Sequence, residues 1–255
     1  MLQYLYKMVI YLELEGKPFY NFGKEGEQMT DKQQFHGDKK LPMNSVLGRA
    51  EKKLINATVP KFPTFIEGYH LTLMTILWSI GLIVFGYLAQ FNINWLWMSS
   101  FMLFLQWFTD SYDGALGRYR DTGIPKWGYY MDHFLDYIFL CAVFVGYKFI
   151  VAESNVEIIY ILLLIFTGFM VSPFLSFGIT NEFKITYLGF GPTEIRLSFI
   201  ALNTYLIFFG TSFIEKYIKF LIPLSLIVLI ITVFRTQKYI WNIDMTDKRN
   251  RLQGE

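Results

Sequence analysis

Six long apolar runs constrain the fold of this chain more than any other feature. Each is about as long as the 17–25 residues that an α-helix needs to cross the hydrocarbon core of a bilayer. The chain is also 53% hydrophobic and 19% aromatic, whereas soluble domains are about 45–50% apolar. We therefore predict an all-α integral membrane protein built as a bundle of six transmembrane helices. The predicted spans are Leu71–Phe91, Ile93–Thr109, Phe134–Ala152, Val156–Phe177, Leu197–Phe213 and Tyr217–Phe234.

The lysine and arginine residues outside these runs indicate how the bundle is oriented. The N-terminal segment, the links at 110–133 and 178–196 and the tail are rich in them, whereas the other links are short. With six spans, all of these basic segments fall on one side, and the positive-inside rule makes that side cytoplasmic. We therefore predict a bacterial inner-membrane protein whose termini and site face the cytoplasm. Tryptophans near the span ends are predicted interfacial anchors: Trp95, Trp97, Trp107 and Trp127.

The chain divides into three segments by composition. Residues 1–68 form a polar N-terminal segment predicted to be cytoplasmic, residues 69–236 form the membrane domain that carries the site, and residues 237–255 form a cytoplasmic tail. The first 28 residues match the rest poorly. Codons for the run Lys24–Glu27 can spell a bacterial ribosome-binding site, so one hypothesis is that Met29 is the native start. The alternative is a genuine, loosely ordered extension.

A short helix is predicted between Ser45 and Ala57, before the first span. Its apolar residues share one face, and Arg49, Lys52 and Lys53 lie opposite to them. A basic amphipathic helix of this kind is typical of a segment that lies on a membrane surface. The alternative is a helix that packs on protein.

Two pairs of aspartates lie between the second and third apolar runs. Asp110 and Asp113 are three residues apart, and Asp132 and Asp136 are four apart, so each pair shares one face of a helix. If the two segments form antiparallel helices, the four carboxylates converge. Carboxylates at the edge of a membrane span are costly without a partner. Because four of them supply enough oxygen to hold one or two hard divalent cations, the sequence predicts a metal centre.

Three glycines and an arginine accompany these carboxylates. Gly114, Gly117 and Gly128 leave room for a bulky ligand near the helix backbone. Arg118 carries a forked cation that suits a phosphate. Together with metal-holding carboxylates, these residues favour a phosphorylated ligand and phosphoryl-transfer chemistry.

The run from Asp110 to Asp136 resembles the signature of the CDP-alcohol phosphotransferase family. The family pattern is Asp-x2-Asp-Gly-x2-Ala-Arg, then about eight residues, then Gly-x3-Asp-x3-Asp. This chain reads Asp110-x2-Asp113-Gly114-x2-Gly117-Arg118, then nine residues, then Gly128-x3-Asp132-x3-Asp136. It departs from the pattern at Gly117, where the family has Ala, and in a spacer about one residue longer.

The resemblance implies a reaction and a set of roles. A phospho-alcohol group, phosphatidyl or phosphoaminoalcohol, is transferred from a CDP-alcohol to an acceptor alcohol in phospholipid biosynthesis, and CMP is released. The implied cofactor is Mg²⁺ or Mn²⁺, with two ions. One of the two substrates is a lipid, and the protein is a homodimer with no nucleic-acid partner. The identity of the donor, that of the acceptor and which of them carries the acyl chains stay open.

The resemblance also assigns individual residues. Asp136 is the implied general base. The implied metal ligands are Asp110, Asp113, Asp132 and Asp136. The implied nucleotide contacts are Asp113, Gly114, Gly117, Arg118 and Gly128.

A second polar stretch, Asn181–Arg196, precedes the fifth span. Its run Gly-Pro-Thr-Glu at 191–194 resembles a segment of the choline/ethanolamine phosphotransferase branch of the family, as does His133 after Asp132. Glu194 and Arg196 are candidates to contact the acceptor or a phosphate, because they face the aspartates from the same side of the membrane. Alternatively, the run only opens the fifth helix, since proline suits the first turn.

Two other observations concern residues near the aspartates. Gln106 lies one turn before Asp110, and it either hydrogen-bonds a metal-bound carboxylate or satisfies another helix. Residues 69–73 resemble the start of the first family helix, although the Pro and Asn of that pattern are absent.

Two other classes of function are compatible with the sequence. A cation-coupled transporter would use the aspartates to bind a cation in transit. An inactive family member would instead serve as a scaffold for other lipid enzymes.

Overall fold

The structure is a computed structural model that describes residues 48–180 and 191–253, apart from the side chains of residues 213 and 214. The predictions made for residues 1–28, for the start at Met29 and for residues 45–47 lie outside the described residues. So does the part of the second polar stretch at 181–190.

The described residues form α-helices and short 3-10 turns, without a β-strand. This agrees with the predicted all-α class. Beyond the 3-10 turns, the helices are α1 (Gly48–Thr58), α2 (Gly68–Ala89), α3 (Leu96–Arg120), α4 (Pro125–Lys148), α5 (Val156–Thr180), α6 (Pro192–Phe209), α7 (Ser212–Tyr217) and α8 (Leu221–Gln253).

Three helical segments are long and apolar enough to cross a membrane within the described residues. They are Gly68–Ala89, Glu153–Thr180 and Glu215–Gln253. The other three predicted spans correspond to α3, α4 and α6, which carry the aspartates and Arg196 and are therefore less apolar. Helices that are able to span a membrane are thus present, and the count of six spans stays a prediction.

Helices α3 and α4 reach much further than the apolar runs within them. α3 continues from the predicted span end at Thr109 to Arg120, and α4 begins at Pro125 rather than at Phe134. The link between them is only residues 121–124, where Asp121 has a left-handed backbone with φ 56° and ends α3. Both pairs of aspartates therefore lie inside helices, on two neighbouring antiparallel segments.

The centre of the bundle is formed by α2, α3 and α4, which share an apolar core. α2 and α4 cross at two glycines, since a Cβ on Gly86 would lie 2.8 Å from the carbonyl oxygen of Gly146. Small residues at such a crossing let two membrane helices pack backbone to backbone. The buried core residues are Leu82, Met102, Leu103, Phe139, Ala142 and Val143.

A buried polar network fixes α6 against the core. Asn203 on α6 is 1% exposed, and its Oδ1 accepts a hydrogen bond of 2.7 Å from the Tyr147 hydroxyl on α4. Its Nδ2 donates to the Ser100 Oγ on α3 at 3.1 Å. Because all three helices meet at Asn203, the network sets where the start of α6, and hence Arg196, lies relative to the aspartates.

The last helix extends well beyond its apolar part. α5 and α8 pack along each other, and α5 also packs on α4. The predicted sixth span ends at Phe234, but α8 continues to Gln253. The predicted tail, residues 237–255, is therefore helical as far as Gln253, and most of its side chains are exposed.

Candidate active site

Three of the four predicted metal ligands converge where α3 and α4 face each other, well inside both helices. Asp110, Asp132 and Asp136 each place one oxygen so that these atoms lie within 4.8 Å of one another. All three side chains are partly buried. Like charges this close are costly, so the cluster requires positive charge from elsewhere.

The positive charge in the protein itself comes from Arg196 on α6. Its Nη2 lies 2.8 Å from Oδ2 of Asp110 and 3.4 Å from Oδ1 of Asp136. Arg196 is only 8% exposed. The sequence predicted that Arg196 would face the aspartates, and in the structure it does so, but its guanidinium contacts carboxylates directly.

Gln106 supports the cluster from inside the bundle. It is fully buried, and its Nε2 donates a hydrogen bond of 3.0 Å to Oδ1 of Asp136. Its Oε1 is buried and has no hydrogen-bond partner among the described residues. Of the two predicted roles for Gln106, the contact with a carboxylate is the one that the structure contains.

The environment of Asp132 disfavours its negative charge. Asp132 precedes the predicted third span, and burial, followed by the charges of Asp110 and Asp136, raises the pKa of its carboxyl well above the ordinary value. A divalent cation would reverse this effect by favouring the ionised form. Converging carboxylate oxygens are the donors that Mg²⁺ prefers, so the residues present fit such an ion.

The fourth predicted ligand, Asp113, is held on the side of α2. Its Oδ2 accepts a hydrogen bond of 2.7 Å from the Thr72 hydroxyl, and its Oδ1 accepts one from the backbone N–H of Gly114. A Cβ on Gly68 would meet the Asp113 carbonyl, so α2 begins in direct contact with this residue. Asp113 lines the same cavity as the other three aspartates but is not part of their group of converging oxygens.

Thr72 is a site residue that the sequence analysis missed. The signal was present, because Thr72 belongs to the 69–73 stretch that resembles the start of the first family helix. That stretch lacks the Pro and Asn of the pattern, and only the fold reveals the contact between Thr72 and Asp113.

The three predicted glycines have different surroundings. A Cβ on Gly114 would lie 3.2 Å from Nη1 of Arg118, and one on Gly117 would lie 3.2 Å from Cα of Gly123 in the link. A Cβ on Gly128 would meet nothing within 4 Å. Gly114 and Arg118 line the cavity with the aspartates, whereas Gly117 lets the α3–α4 link fold closely against α3.

The run at 191–194 has a structural role at the start of α6. Pro192 is the first residue of the helix, and Glu194 accepts a hydrogen bond of 2.9 Å from the backbone N–H of Gly191. Glu194 is not among the residues that line the cavity. Thr193, which lines the cavity, donates a hydrogen bond of 3.1 Å to Oε2 of Glu51 on α1.

Glu51 joins α1 to the bundle beside the site, and the sequence analysis did not single it out. Its Oε1 accepts hydrogen bonds from Trp107 Nε1 at 2.9 Å and from Ser111 Oγ at 2.8 Å, both on α3. Trp107, predicted as an interfacial anchor, thus has a hydrogen-bond partner within the protein. The helix α1 packs on the bundle, and its predicted position at the membrane surface stays a prediction.

Arg120 fixes the segment between α1 and α2. Its guanidinium donates to the backbone carbonyls of Phe62, Pro63 and Ile66. The sequence analysis used Arg120 only as a positive charge that orients the bundle.

His133 contacts the backbone of its own helix, α4, where its Nδ1 lies 2.6 Å from the carbonyl oxygen of Tyr129.

A long apolar cavity leads away from the aspartates. Its volume is about 1920 Å³, and it runs along α4 from Asp136 at least to Tyr147, a distance of roughly 16 Å at the rise of an α-helix. Between the aspartates and its far end, α4, α5, α6 and α8 line it. Representative apolar residues are Phe139, Val143, Phe166, Phe199, Leu224 and Val228.

The helical bundle has helices long enough to span a membrane, and its cluster of carboxylates lies at the edge of an apolar cavity. Residues 68–236, more than half of the chain, match the profile of the CDP-alcohol phosphatidyltransferase family. The chain belongs to this family, which transfers phospho-alcohol groups in lipid synthesis, and the assignment predicted from the aspartate motif is confirmed. In the comparisons with curated proteins and with solved structures, nothing matched.

Proposed function

We propose that this protein transfers a phospho-alcohol group from a CDP-alcohol to an acceptor alcohol, with release of CMP, at the aspartate cluster. The observation that carries the proposal is the convergence of Asp110, Asp132 and Asp136 within 4.8 Å at one end of an apolar cavity. A soluble nucleotide and a membrane lipid can meet at such a place, since one end of the cavity is charged and the rest is not.

Asp110, Asp132 and Asp136 would hold Mg²⁺ or Mn²⁺, and Asp113 is a further candidate ligand. When bound, such ions neutralise the charge of the pyrophosphate and of the departing CMP. Their number, proposed as two, follows from the family resemblance. The proposed homodimer has the same basis.

The residues of the chain supply positioning and proton transfer. In the proposed reaction, the acceptor hydroxyl oxygen attacks the phosphorus that bears the donor alcohol, and the bond from that phosphorus to the oxygen of CMP breaks. Asp136 accepts the hydroxyl proton. Gln106 and Arg196 both contact its Oδ1, so we assign Oδ2 to the substrate hydroxyl.

Arg118 and the nearby Gly114 line the cavity beside the aspartates. We assign Arg118 to a phosphate of the nucleotide, because its forked guanidinium matches phosphate oxygens. Gly114 supports this assignment, since a side chain there would crowd the guanidinium at 3.2 Å. The assignment of Gly128 to the nucleotide rests on the family resemblance, and a Cβ there would meet nothing within 4 Å. Gly117 contributes by holding the link. Glu194 accepts a hydrogen bond at the start of α6, and its contact with the acceptor stays a prediction.

The apolar cavity supports a lipid as one substrate. Its 1920 Å³ far exceeds what a small polar alcohol needs, and its walls are aliphatic and aromatic side chains. Acyl chains are the ligands that suit such walls. Either CDP-diacylglycerol with a polar alcohol or a CDP-aminoalcohol with diacylglycerol meets this condition.

The experiment that tests the function is CMP release by the purified protein in detergent with Mg²⁺ or Mn²⁺. CDP-diacylglycerol is paired with a panel of small alcohols, and CDP-choline or CDP-ethanolamine with diacylglycerol. CMP release with one pair, lost in Asp136→Asn, supports the proposal and identifies the substrates. A protein that neither releases CMP nor binds CDP overturns it.

The proposed orientation has its own test. Six spans with cytoplasmic termini place Ser154 outside and Thr246 inside the bacterial inner membrane. Single cysteines at these positions, in a Cys141→Ala background, are labelled in intact cells with a reagent that does not cross the membrane. Labelling at residue 154 alone is expected, and labelling at residue 246 contradicts the orientation.

A further inference from the structure

Helix α1 brings two basic side chains to the mouth of the cavity. Arg49 and Lys52 line it together with Asp110, Asp113 and Arg118. Lys53, the next residue in the helix, is exposed and does not line the cavity. All three residues are basic, but only Arg49 and Lys52 line the cavity.

The arginine and lysine residues of the cavity lining differ in whether they form ion pairs. They are Arg49, Lys52, Arg118 and Arg196. Among the described residues, the ion pairs that involve an arginine or lysine of this lining are those of Arg196 with Asp110 and Asp136. His133, which also lines the cavity, lies 3.7 Å from Asp132. Arg196 is thus neutralised by carboxylates. An anionic ligand at this mouth would meet Arg49, Lys52 and Arg118 instead.

Glu51 sets the position of α1. Its carboxylate accepts three hydrogen bonds, from Trp107 and Ser111 on α3 and from Thr193 on α6. A second connection lies at the C-terminal end of α1, where Oγ1 of Thr58 lies 2.6 Å from the Tyr112 hydroxyl. A carboxylate with three donors from two helices fixes the rotation of α1 about its axis, and with it the direction of Lys52.

We propose that α1 is part of the substrate-binding site, where Arg49 and Lys52 bind phosphate oxygens of the substrate and Glu51 is the positioning residue that orients them. This inference rests on the proposed function, since it places the diphosphate of the CDP-alcohol at the mouth of the cavity. Charge complementarity supports it: phosphates need cations, and charge-assisted hydrogen bonds to them are the strong ones. The Thr193–Glu51 bond gives Thr193 of the 191–194 run a role in the same arrangement.

The first test measures binding of CDP to the purified full-length protein in neutral detergent with Mg²⁺. The variant Arg49→Gln/Lys52→Gln is compared with Lys53→Gln, the matched control on the same helix. We expect the double variant to bind CDP at least tenfold more weakly and the control to bind as the wild type does. Thermal unfolding of all three proteins is expected to coincide, because Arg49, Lys52 and Lys53 are all exposed.

Phosphate at this mouth could instead come from the headgroup of a membrane lipid. The second arm therefore measures binding of the same variants to vesicles of neutral lipid and of neutral lipid with an anionic phospholipid. If the double variant and Lys53→Gln both lose affinity for the anionic vesicles while CDP binding is unchanged, the basic residues act on the membrane and the proposal is overturned.

Positioning by Glu51 is tested by a double-mutant cycle. Glu51→Ala is expected to raise KM for the CDP-alcohol about tenfold with kcat within about twofold of wild type, and Glu51→Gln, which keeps one acceptor oxygen, to be intermediate. Added to Arg49→Gln/Lys52→Gln, Glu51→Ala should cost little more, because residues that act through each other are not additive. Full additivity would show that Glu51 acts independently of the two basic residues and would overturn its assignment.

The outcomes separate this inference from the proposed function. If the wild type releases CMP but the double variant and Lys53→Gln bind CDP equally well, only the inference fails. If the wild type binds CDP through Arg49 and Lys52 but releases no CMP with any substrate pair, the proposed reaction fails and the binding site stands. If the wild type does not bind CDP, both are overturned.

Discussion

The guanidinium of Arg196 lies 2.8 Å from the Asp110 carboxylate, which ties the start of α6 to the middle of α3 at the site. The pair is partly buried, with side-chain exposures of 10% and 19%. Arg196 also contacts Asp136 on α4, so a single cation connects three helices. Several predictions about the site depend on this connection and on the contacts around it.

Replacing Arg196 should destabilise the protein most when no divalent metal is present. Arg196→Ala leaves clustered carboxylates without their protein cation, and breaking a buried pair in this way costs about 3–5 kcal/mol. Arg196→Lys keeps the charge but not the fork that reaches two carboxylates, so its effect should be smaller. Thermal unfolding in EDTA measures both, and Mg²⁺ should recover part of the loss. Equal unfolding temperatures for the three proteins would contradict the prediction.

Asp136→Asn should lower the rate of CMP release about 100-fold or more, in the range typical of losing a general base. Binding of CDP should be retained, because the change keeps the size of the side chain. An active Asp136→Asn protein would remove this residue from the chemistry and leave it only a supporting contact for Gln106 and Arg196.

Divalent metal should raise the unfolding temperature of the wild type. A ligand that binds only the folded state stabilises it by about 2.7 kcal/mol at 100 times its Kd, and EDTA should abolish the gain. Asp132→Asn removes one converging oxygen and should weaken the response to Mg²⁺ and Mn²⁺. Asp247→Asn, on the exposed end of α8, is the matched control and should respond as the wild type does.

Thr72→Val should reduce activity. The change preserves the shape of the side chain but removes the donor to Asp113, and a hydrogen bond to a charged group is worth roughly 1.5–3 kcal/mol. If Asp113 takes part in the reaction as proposed, kcat/KM for the CDP-alcohol should fall about tenfold or more. Unchanged kcat/KM would mean that the position of Asp113 does not depend on Thr72.

The crossing of α2 and α4 should not tolerate a side chain. Gly86→Ala would place a Cβ 2.8 Å from the Gly146 carbonyl oxygen, so the helices must separate, at a cost of roughly 1–3 kcal/mol. Gly178→Ala is the control, because a Cβ there meets nothing within 4 Å and alanine favours helix by up to about 1 kcal/mol. Thermal unfolding in detergent should show opposite shifts, and a shift of the same sign in both variants would argue against the close crossing.

The chemistry of the site could be predicted from the sequence because its residues are close together along the chain. Asp132 and Asp136 are one helical turn apart, and one link joins their segment to that of Asp110. Periodicity therefore predicted that these aspartates converge if the two segments form antiparallel helices. Arg196 was predicted on the same side of the membrane from the order of the apolar runs. The family assignment needed only the motif.

The contacts that the sequence did not predict join residues far apart in the chain. Glu51 meets Thr193 across 142 positions, and Thr72 meets Asp113 across 41. No periodicity links such pairs, since they depend on how complete helices pack. Helix ends were also misjudged, because hydropathy marks the apolar part of α3 and α4 but backbone hydrogen bonding continues through their charged ends to Arg120 and from Pro125.

The apolar cavity is lined by α4, α5, α6 and α8. If acyl chains occupy this space, a lipid reaches the aspartates by diffusing in the plane of the bilayer, and the aqueous phase delivers only the polar partner. The quantity that governs the rate is then the mole fraction of the lipid substrate in the membrane or micelle, not its bulk molarity. Adding inert detergent at constant substrate concentration should slow the reaction by surface dilution alone.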